Sequence, residues 1–147
     1  MTTTKPKPKR RTRNRASAKA AGSYFETVVA RYLAMVLGDD RIERRVTNGA
    51  RDRGDIGGLR VHGQRLVVEC KDVCTLALPE WTAEAHAEAG NDDALLGVVV
   101  HKRRGMSDPG RQWVAMTVDD LAALIDGSRH GHRRDFAADA PASGAPQ

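Results

Sequence analysis

The stretch RDRGDIGGLRVHGQRLVVECKDV, residues 51–73, decides how the chain is read, because it sets two carboxylates and a lysine into what the neighbouring residues make a β-hairpin. Residues 56–62 are predicted to pair with 65–71 around a His62–Gly63–Gln64 turn. Side chains alternate along a strand, so Leu66, Val68 and Cys70 point one way while Arg65, Val67, Glu69 and Lys71 point the other. Glu69 and Lys71 therefore share a face, about 6.6 Å apart at roughly 3.3 Å per residue. Asp55 lies eight residues before Gly63 and Glu69 six after it, which places the two carboxylates within one or two residues of register. Gly57–Gly58 offers room for a bulge that takes up the difference. Half-buried charges on a sheet are costly unless something pairs with them, so the cluster needs a reason.

Outward from the hairpin, Phe25, Val28, Val29, Tyr32, Leu33, Val36 and Leu37 recur at helical spacing and predict one core-facing stripe. Ser23 reads as the cap of that helix, with Glu26 three residues later, and Gly38 as its end. A strand is expected at 42–47 (IERRVT) before the Asn48–Gly49 turn signal. Pro79 suits the first turn of a second helix over 79–89 that closes at Gly90–Asn91. The apolar run 94–101 (ALLGVVVH) predicts an internal strand. A charged loop, KRRGMSDPGR, leads to a strand at 112–118, after which Thr117 caps a last helix carrying Leu121, Leu124 and Ile125 and stopped by Gly127. The resulting order is α-β-β-β-α-β-(β)-α, an α/β fold without an internal repeat.

With 147 residues the chain suits one domain. Its formal charge of +5 is unevenly placed: residues 1–21 hold eight Lys and Arg and no acid, whereas residues 22–147 hold 16 basic and 19 acidic residues. We expect 1–21 to be a disordered basic arm, 22–126 the folded domain and 127–147 a flexible tail. The arm is either a solubilising segment or a nucleic-acid contact acting through counterion release. No segment has the unbroken apolar core of a signal peptide or the roughly 18 apolar residues of a membrane span, so a cytosolic protein without membrane contact is expected. Cys70 and Cys74, the only cysteines, make a poor zinc signal and read as reduced thiols, Cys70 buried. His130 and His132 lie in the polar tail and receive no role.

Divalent-metal chemistry accounts for the residue types in the hairpin. Mg²⁺ prefers oxygen ligands near 2.1 Å and keeps several waters, so one or two carboxylates and a substrate phosphate suffice to hold it. Asp55 and Glu69 would supply those oxygens and the Cys70 backbone carbonyl a third. Lys71, on the face of Glu69, would orient a water or offset developing charge.

With Gly54-Asp55-Ile56 followed by Glu69-Cys70-Lys71, the chain resembles the PD-(D/E)XK nuclease superfamily. Within it, the early-helix Glu26 in GSYFE, the strand RIERRV, the later buried strand with Lys102 and the Trp113-bearing strand are most similar to archaeal-type Holliday junction resolvases and their phage relatives. The resemblance spans about residues 22–125. It implies a restriction-endonuclease-like α-β-β-β-α-β core with a mixed central sheet flanked by helices, and a homodimeric, Mg²⁺-dependent endonuclease, with Mn²⁺ able to substitute, that makes paired nicks in branched DNA. It also implies Asp55, Glu69, Lys71 and Glu26 as the catalytic set. Gly54 stands where the family usually has Pro, and Asp72 where resolvases often have a small hydroxyl residue; Glu84 and His86 are candidates for the polar residue that supports the site from the second helix.

Glu26 has two readings, a capping partner of Ser23 or a support for the metal. Glu80, Glu84 and Glu88 read as a solvated helix face, and Trp81 and Trp113 as core or interface. An acidic body repels DNA unless basic elements frame the site. The candidates for that frame are Arg44, Arg45, Arg51 and Arg53, the loop residues Lys102, Arg103, Arg104 and Arg111, and the arm residues Lys9, Arg10, Arg11, Arg13 and Arg15. A restriction-type or flap/repair nuclease of the same fold and a non-catalytic DNA-binding protein are the competing expectations.

Overall fold

The computed structural model describes residues 14–129, so most of the basic arm, with Lys9, Arg10, Arg11 and Arg13, and the tail beyond Arg129 lie outside the described residues. The first helix, α1, spans Arg15–Leu37 and is capped by Asn14, whose side chain accepts a 2.8 Å hydrogen bond from the Ser17 N–H. This corrects the expected start: Ser23 sits inside the helix, where its carbonyl accepts from the Thr27 hydroxyl, and residues 15–21 are helical rather than part of the arm. The added turns are Ala-rich and helical by propensity without contributing to the apolar stripe, which is why periodicity missed them. Gly38 closes α1 in the left-handed region at φ 62°, as expected.

Strand β1 is short, Glu43–Arg44, and is followed by a single 3-10 turn at Gly49–Arg51. The hairpin comprises β2 (Ile56–Gly57), β3 (Arg60–Val61) and β4 (Gln64–Lys71). Val61 pairs with Gln64 across a two-residue turn in which His62 and Gly63 both have positive φ, 51° and 74°. Such a turn matches the twist of the flanking strands. The register steps by one residue between the Arg60↔Arg65 and Ile56↔Val68 pairs. Gly58 takes up the step: its φ is 86°, and a side chain there would overlap the Arg41 carbonyl.

Helix α2 (Leu78–Asn91) carries the chain from β4 to the parallel strand β5 (Leu96–His101). It runs through Gly90, and the left-handed residue that follows the helix is Asp93, φ 49°. Strand β6 (Trp113–Ala115) pairs antiparallel with β5, and α3 (Val118–Asp126) follows, with the Thr117–Asp120 capping box at its start and Gly127 at its end. The sheet is thus open and mixed, in the order β1-β2-β4-β5-β6, with β3 paired to β4.

Helices cover both faces. Phe25, Val29 and Ala30 of α1 and Ala123 of α3 pack on Ile56, Val68, Cys70, Val98 and Val100. Trp81, Ala85 and Ala89 of α2 pack on the opposite face, against Val67 and Val99. Ile56, Val67, Leu96 and Val99 are fully buried, each contributing about 1.5–3 kcal/mol over exposure. Gly97 allows α2 to come close, because a side chain there would run into the Ala85 carbonyl. In α3 only part of the expected stripe is covered: Leu124 packs on the core, but Leu121 and Ile125 are exposed.

Candidate metal centre

Two neighbouring strands set the carboxylates. The Asp55 N–H donates to the Val68 carbonyl at 3.0 Å, and with Ile56 opposite Val68, Asp55 falls opposite Glu69. The regular ladder ends there, and the Asp55 side chain takes the next donor: its Oδ2 accepts from the Cys70 N–H at 2.8 Å. A residue in an extended strand turns its N–H and C=O to the same edge, so the Cys70 carbonyl faces the Asp55 side as well. Across the two strands the Glu69 charge acts on the Asp55 carboxyl. On the same face, Lys71 Nζ donates to Glu69 Oε1 at 2.7 Å and to Glu84 Oε2 at 2.5 Å.

Gly54, just before Asp55, is required by the backbone. Its φ is +83°, which proline, locked near −65°, cannot adopt, and a Cβ there would stand 2.5 Å from Val67 Cγ1 and 3.1 Å from the Val68 carbonyl oxygen. Gly54→Ala is therefore expected to cost about 2 kcal/mol or more in urea denaturation, from the left-handed backbone and the overlap together, and to displace Asp55. An unchanged midpoint would refute the constraint.

Helix α2 brings acids that sequence spacing had placed in solvent. Trp81, Ala85, Glu88 and Ala89 form its buried stripe, and this corrects the reading of Glu80, Glu84 and Glu88 as one solvated face: only Glu80 and Glu84 are exposed, and Glu84 still reaches Lys71. Glu88 is 6% exposed, and its Oε2 has no hydrogen-bond partner, the one such buried side-chain atom among the described residues. Glu69, Glu84 and Glu88 each offer an oxygen within 4.8 Å of the others. The usable signal was the separation from Trp81, since Glu88 lies seven residues after it and so on its side of the helix. His86 turns instead to Asp120 Oδ2 at 2.8 Å and ties α2 to α3.

Burial and mutual repulsion raise the carboxyl pKa values. Asp55 is pushed up to about 8, by burial first and then by the Glu69 charge, with the Cys70 N–H pulling the other way. Burial raises Glu69 to about 7 although the Lys71 hydrogen bond opposes it, and raises Glu88 to about 7. Burial disfavours the Lys71 charge, but hydrogen bonds to Glu69 and Glu84 outweigh it and leave the pKa above its ordinary value. Three neighbouring carboxyl groups, Asp55, Glu69 and Glu88, thus resist ionising together.

No family model, curated protein or solved structure matches this chain.

The basic residues are placed as follows. Arg44 donates to Glu26 Oε2 at 2.6 Å and to the Ser23 hydroxyl at 3.1 Å. Glu26 lies mid-helix, so its role as a capping partner is ruled out, and its charge contributes to raising Asp55. Arg45 turns inward to the Arg53 carbonyl and the buried Asp92, and Arg53 lies 3.8 Å from the same carboxylate. Arg44, Arg45 and Arg53 nonetheless line a cleft of about 690 Å³. Arg51 is exposed on its 3-10 turn, Arg111 is exposed beyond β5, and Arg15 is exposed at the start of α1. Lys102 pairs with Asp72 at 3.2 Å and lies over the Phe25 ring, which gives Asp72 a partner. Arg103 stacks 4.7 Å over the exposed Trp113 ring, while Trp81 is buried beside His101. Arg104 donates to Cys74 Sγ; the two cysteines form no disulfide, and only Cys70 is buried.

Proposed function

We propose that this protein is a metal-dependent endonuclease with a restriction-endonuclease-like core, acting on branched DNA as a homodimeric Holliday junction resolvase. The observation that carries it is the placement of Asp55, immediately before β2, opposite Glu69 of β4, with Lys71 on the same face as Glu69. The donors suit a hard cation: all are oxygens, they repel one another, and a neighbouring buried oxygen of Glu88 has no partner. Asp55, Glu69 and the Cys70 carbonyl would hold Mg²⁺, or Mn²⁺ in its place. A hard divalent ion bound there neutralises charge on the scissile phosphate and makes water more acidic. Asp55 is kept in place by the Cys70 N–H, and Lys71 brings a fixed positive charge beside Glu69 for the developing phosphate charge. Glu26 supports the centre from α1 through its field and its pair with Arg44. Arg51, Arg111 and the Arg103–Trp113 stack are exposed and would offer contacts to the DNA backbone, and no helix among the described residues is long and apolar enough to cross a membrane.

The test is incubation of the full chain with a four-way junction, a flap and a linear duplex of matched sequence, with Mg²⁺ or EDTA. Paired, Mg²⁺-dependent nicks confined to the junction are expected. Equal cutting of the duplex removes the junction preference in favour of a restriction- or repair-type nuclease, and binding without cutting under any divalent ion favours a non-catalytic DNA-binding protein. Deleting residues 1–13, which hold Lys5, Lys7, Lys9, Arg10, Arg11 and Arg13, is expected to weaken junction binding and flatten its salt dependence, by about 0.9 in log–log slope for each phosphate the arm neutralises. An unchanged slope returns the arm to a solubilising role.

A further inference from the structure

We propose that the cleft where the hairpin turn meets the ends of α2 and α3, lined by Arg60, Arg65 and Arg129, holds the phosphate backbone of a DNA arm at a distance from the metal centre. The inference rests on the proposed DNA substrate for what the arginines meet, and not on cleavage. The cleft encloses about 610 Å³, and one acid, Asp93, lines it beside the three arginines. None of the three guanidinium groups pairs with a carboxylate among the described residues; each donates to main-chain carbonyls instead. Arg60 Nη1 meets the Gly63 carbonyl at 3.1 Å, Arg65 Nη1 the Asp92 carbonyl at 2.9 Å, and Arg129 those of Ala94 and Leu95. Arg60 also attracts Asp39 through its charge, but Arg41 holds both oxygens of that carboxylate. A carbonyl fixes the direction of a guanidinium without supplying a countercharge, so the cleft keeps a positive excess and leaves donors of each fork for an anion.

A second observation favours a chain of phosphates over a single small anion. Arg60 and Arg65 also line the neighbouring cleft of about 240 Å³, together with Arg41 and Arg45, and Arg45 passes into the cleft of about 690 Å³ that holds Arg44 and Arg53. The three concavities thus join through shared arginines into one basic track. Asp39 answers Arg41, Glu26 answers Arg44, and Asp92 answers Arg45 and Arg53, which leaves the Arg60–Arg65–Arg129 end with the least neutralised charge. The paired N–H donors of arginine match phosphate oxygens, and a track of successive arginines matches successive phosphates. Arg65 and Glu69 share a face of β4 four residues apart, about 13 Å at roughly 3.3 Å per residue, so a phosphate held there is remote from the scissile one. Such contacts carry no base reading and position an arm by its backbone.

Phenylglyoxal modification of the full wild-type chain in EDTA, mapped by mass spectrometry with and without a four-way junction, tests the track without a variant and without cleavage. DNA is expected to protect Arg60, Arg65 and Arg129 and to leave the exposed Arg31 of α1 reactive. In parallel, Arg60→Gln combined with Arg129→Gln is expected to lower the log–log salt slope of junction binding by about 1.8, at about 0.9 per phosphate, and to weaken binding roughly 60-fold at about 0.1 M salt relative to about 1 M. Arg31→Gln is expected to keep the wild-type slope. If the double variant unfolds, protection in the wild-type chain decides. Equal reactivity of the three arginines with and without DNA would overturn the proposal even if the junction is cut, as would a wild-type slope in the double variant. Protection by millimolar inorganic phosphate with none by DNA would overturn the track in favour of a small-anion site. Protection by the junction without cleavage under any divalent ion would support the track while counting against the nuclease proposal.

Discussion

Asp55→Asn and Glu69→Gln are each expected to lower Mg²⁺-dependent junction cleavage by about three orders of magnitude or more, equivalent to ~4 kcal/mol in the barrier, while leaving junction binding largely intact. Each replacement removes the negative oxygen that would hold the cation, yet keeps the shape of the side chain. The amide oxygen introduced by Asp55→Asn still offers an acceptor to the Cys70 N–H, which in the wild type meets Asp55 Oδ2 at 2.8 Å. Asp55→Asn strips no needed charge from the metal-free fold, because burial has already pushed Asp55 to about 8, and Glu69→Gln gives up the charge beside Lys71 but keeps an amide oxygen that can accept from its Nζ. Single-turnover cleavage of a labelled four-way junction, with binding followed in EDTA, separates chemistry from affinity. Wild-type cleavage by Asp55→Asn would remove the centre from Asp55.

The second large effect is on stability against pH. Asp55, Glu69 and Glu88 have folded-state pKa values of about 8, 7 and 7, against ordinary values of 3.8, 4.5 and 4.5. Between those limits the folded protein holds protons that the unfolded chain has released. Stability then falls as pH rises, since it changes with the protons bound in the unfolded state minus those in the folded state. The metal-free protein is expected to be most stable near pH 5 and to lose on the order of a few kcal/mol by pH 8, with the loss shared among the three groups. Millimolar Mg²⁺ or Mn²⁺ at pH 8 is expected to restore much of it, because an ion bound only by the folded state adds stability by mass action. Glu69→Gln should flatten the pH profile and blunt the metal effect together. Urea midpoints at pH 5, 6, 7 and 8, with and without metal, supply the check; a midpoint that climbs steadily over that range would contradict the electrostatics of the cluster.

Local chemistry made much of the hairpin legible in advance. The alternation Arg65–Lys71 put Glu69 and Lys71 on one face, and the structure joins them at 2.7 Å. Counting from Gly63 set Asp55 near Glu69, and the paired glycines supplied the one-residue step between Arg60↔Arg65 and Ile56↔Val68. The Thr117 cap and the Gly38 stop were also readable, since a cap depends on a few adjacent residues. The start of α1 was not, because Arg15–Gly22 is helical by propensity and carries no core-facing stripe.

The hairpin, its register and the E-x-K face thus follow from period-two alternation and turn geometry within about twenty consecutive residues. Which other charges join them depends on how the helices pack. Glu84 and Glu88 look alike in sequence, yet the close seat of α2 on β5, with Ala85 against Gly97, buries one and leaves the other half-exposed. Arg45 and Arg53, equally plausible as DNA contacts, turn instead toward Asp92 at the far end of α2. A charged residue carries no local mark of burial: its environment is set by the rotation and depth of the element packed over it, and partners such as Arg45 and Asp92 lie 47 residues apart.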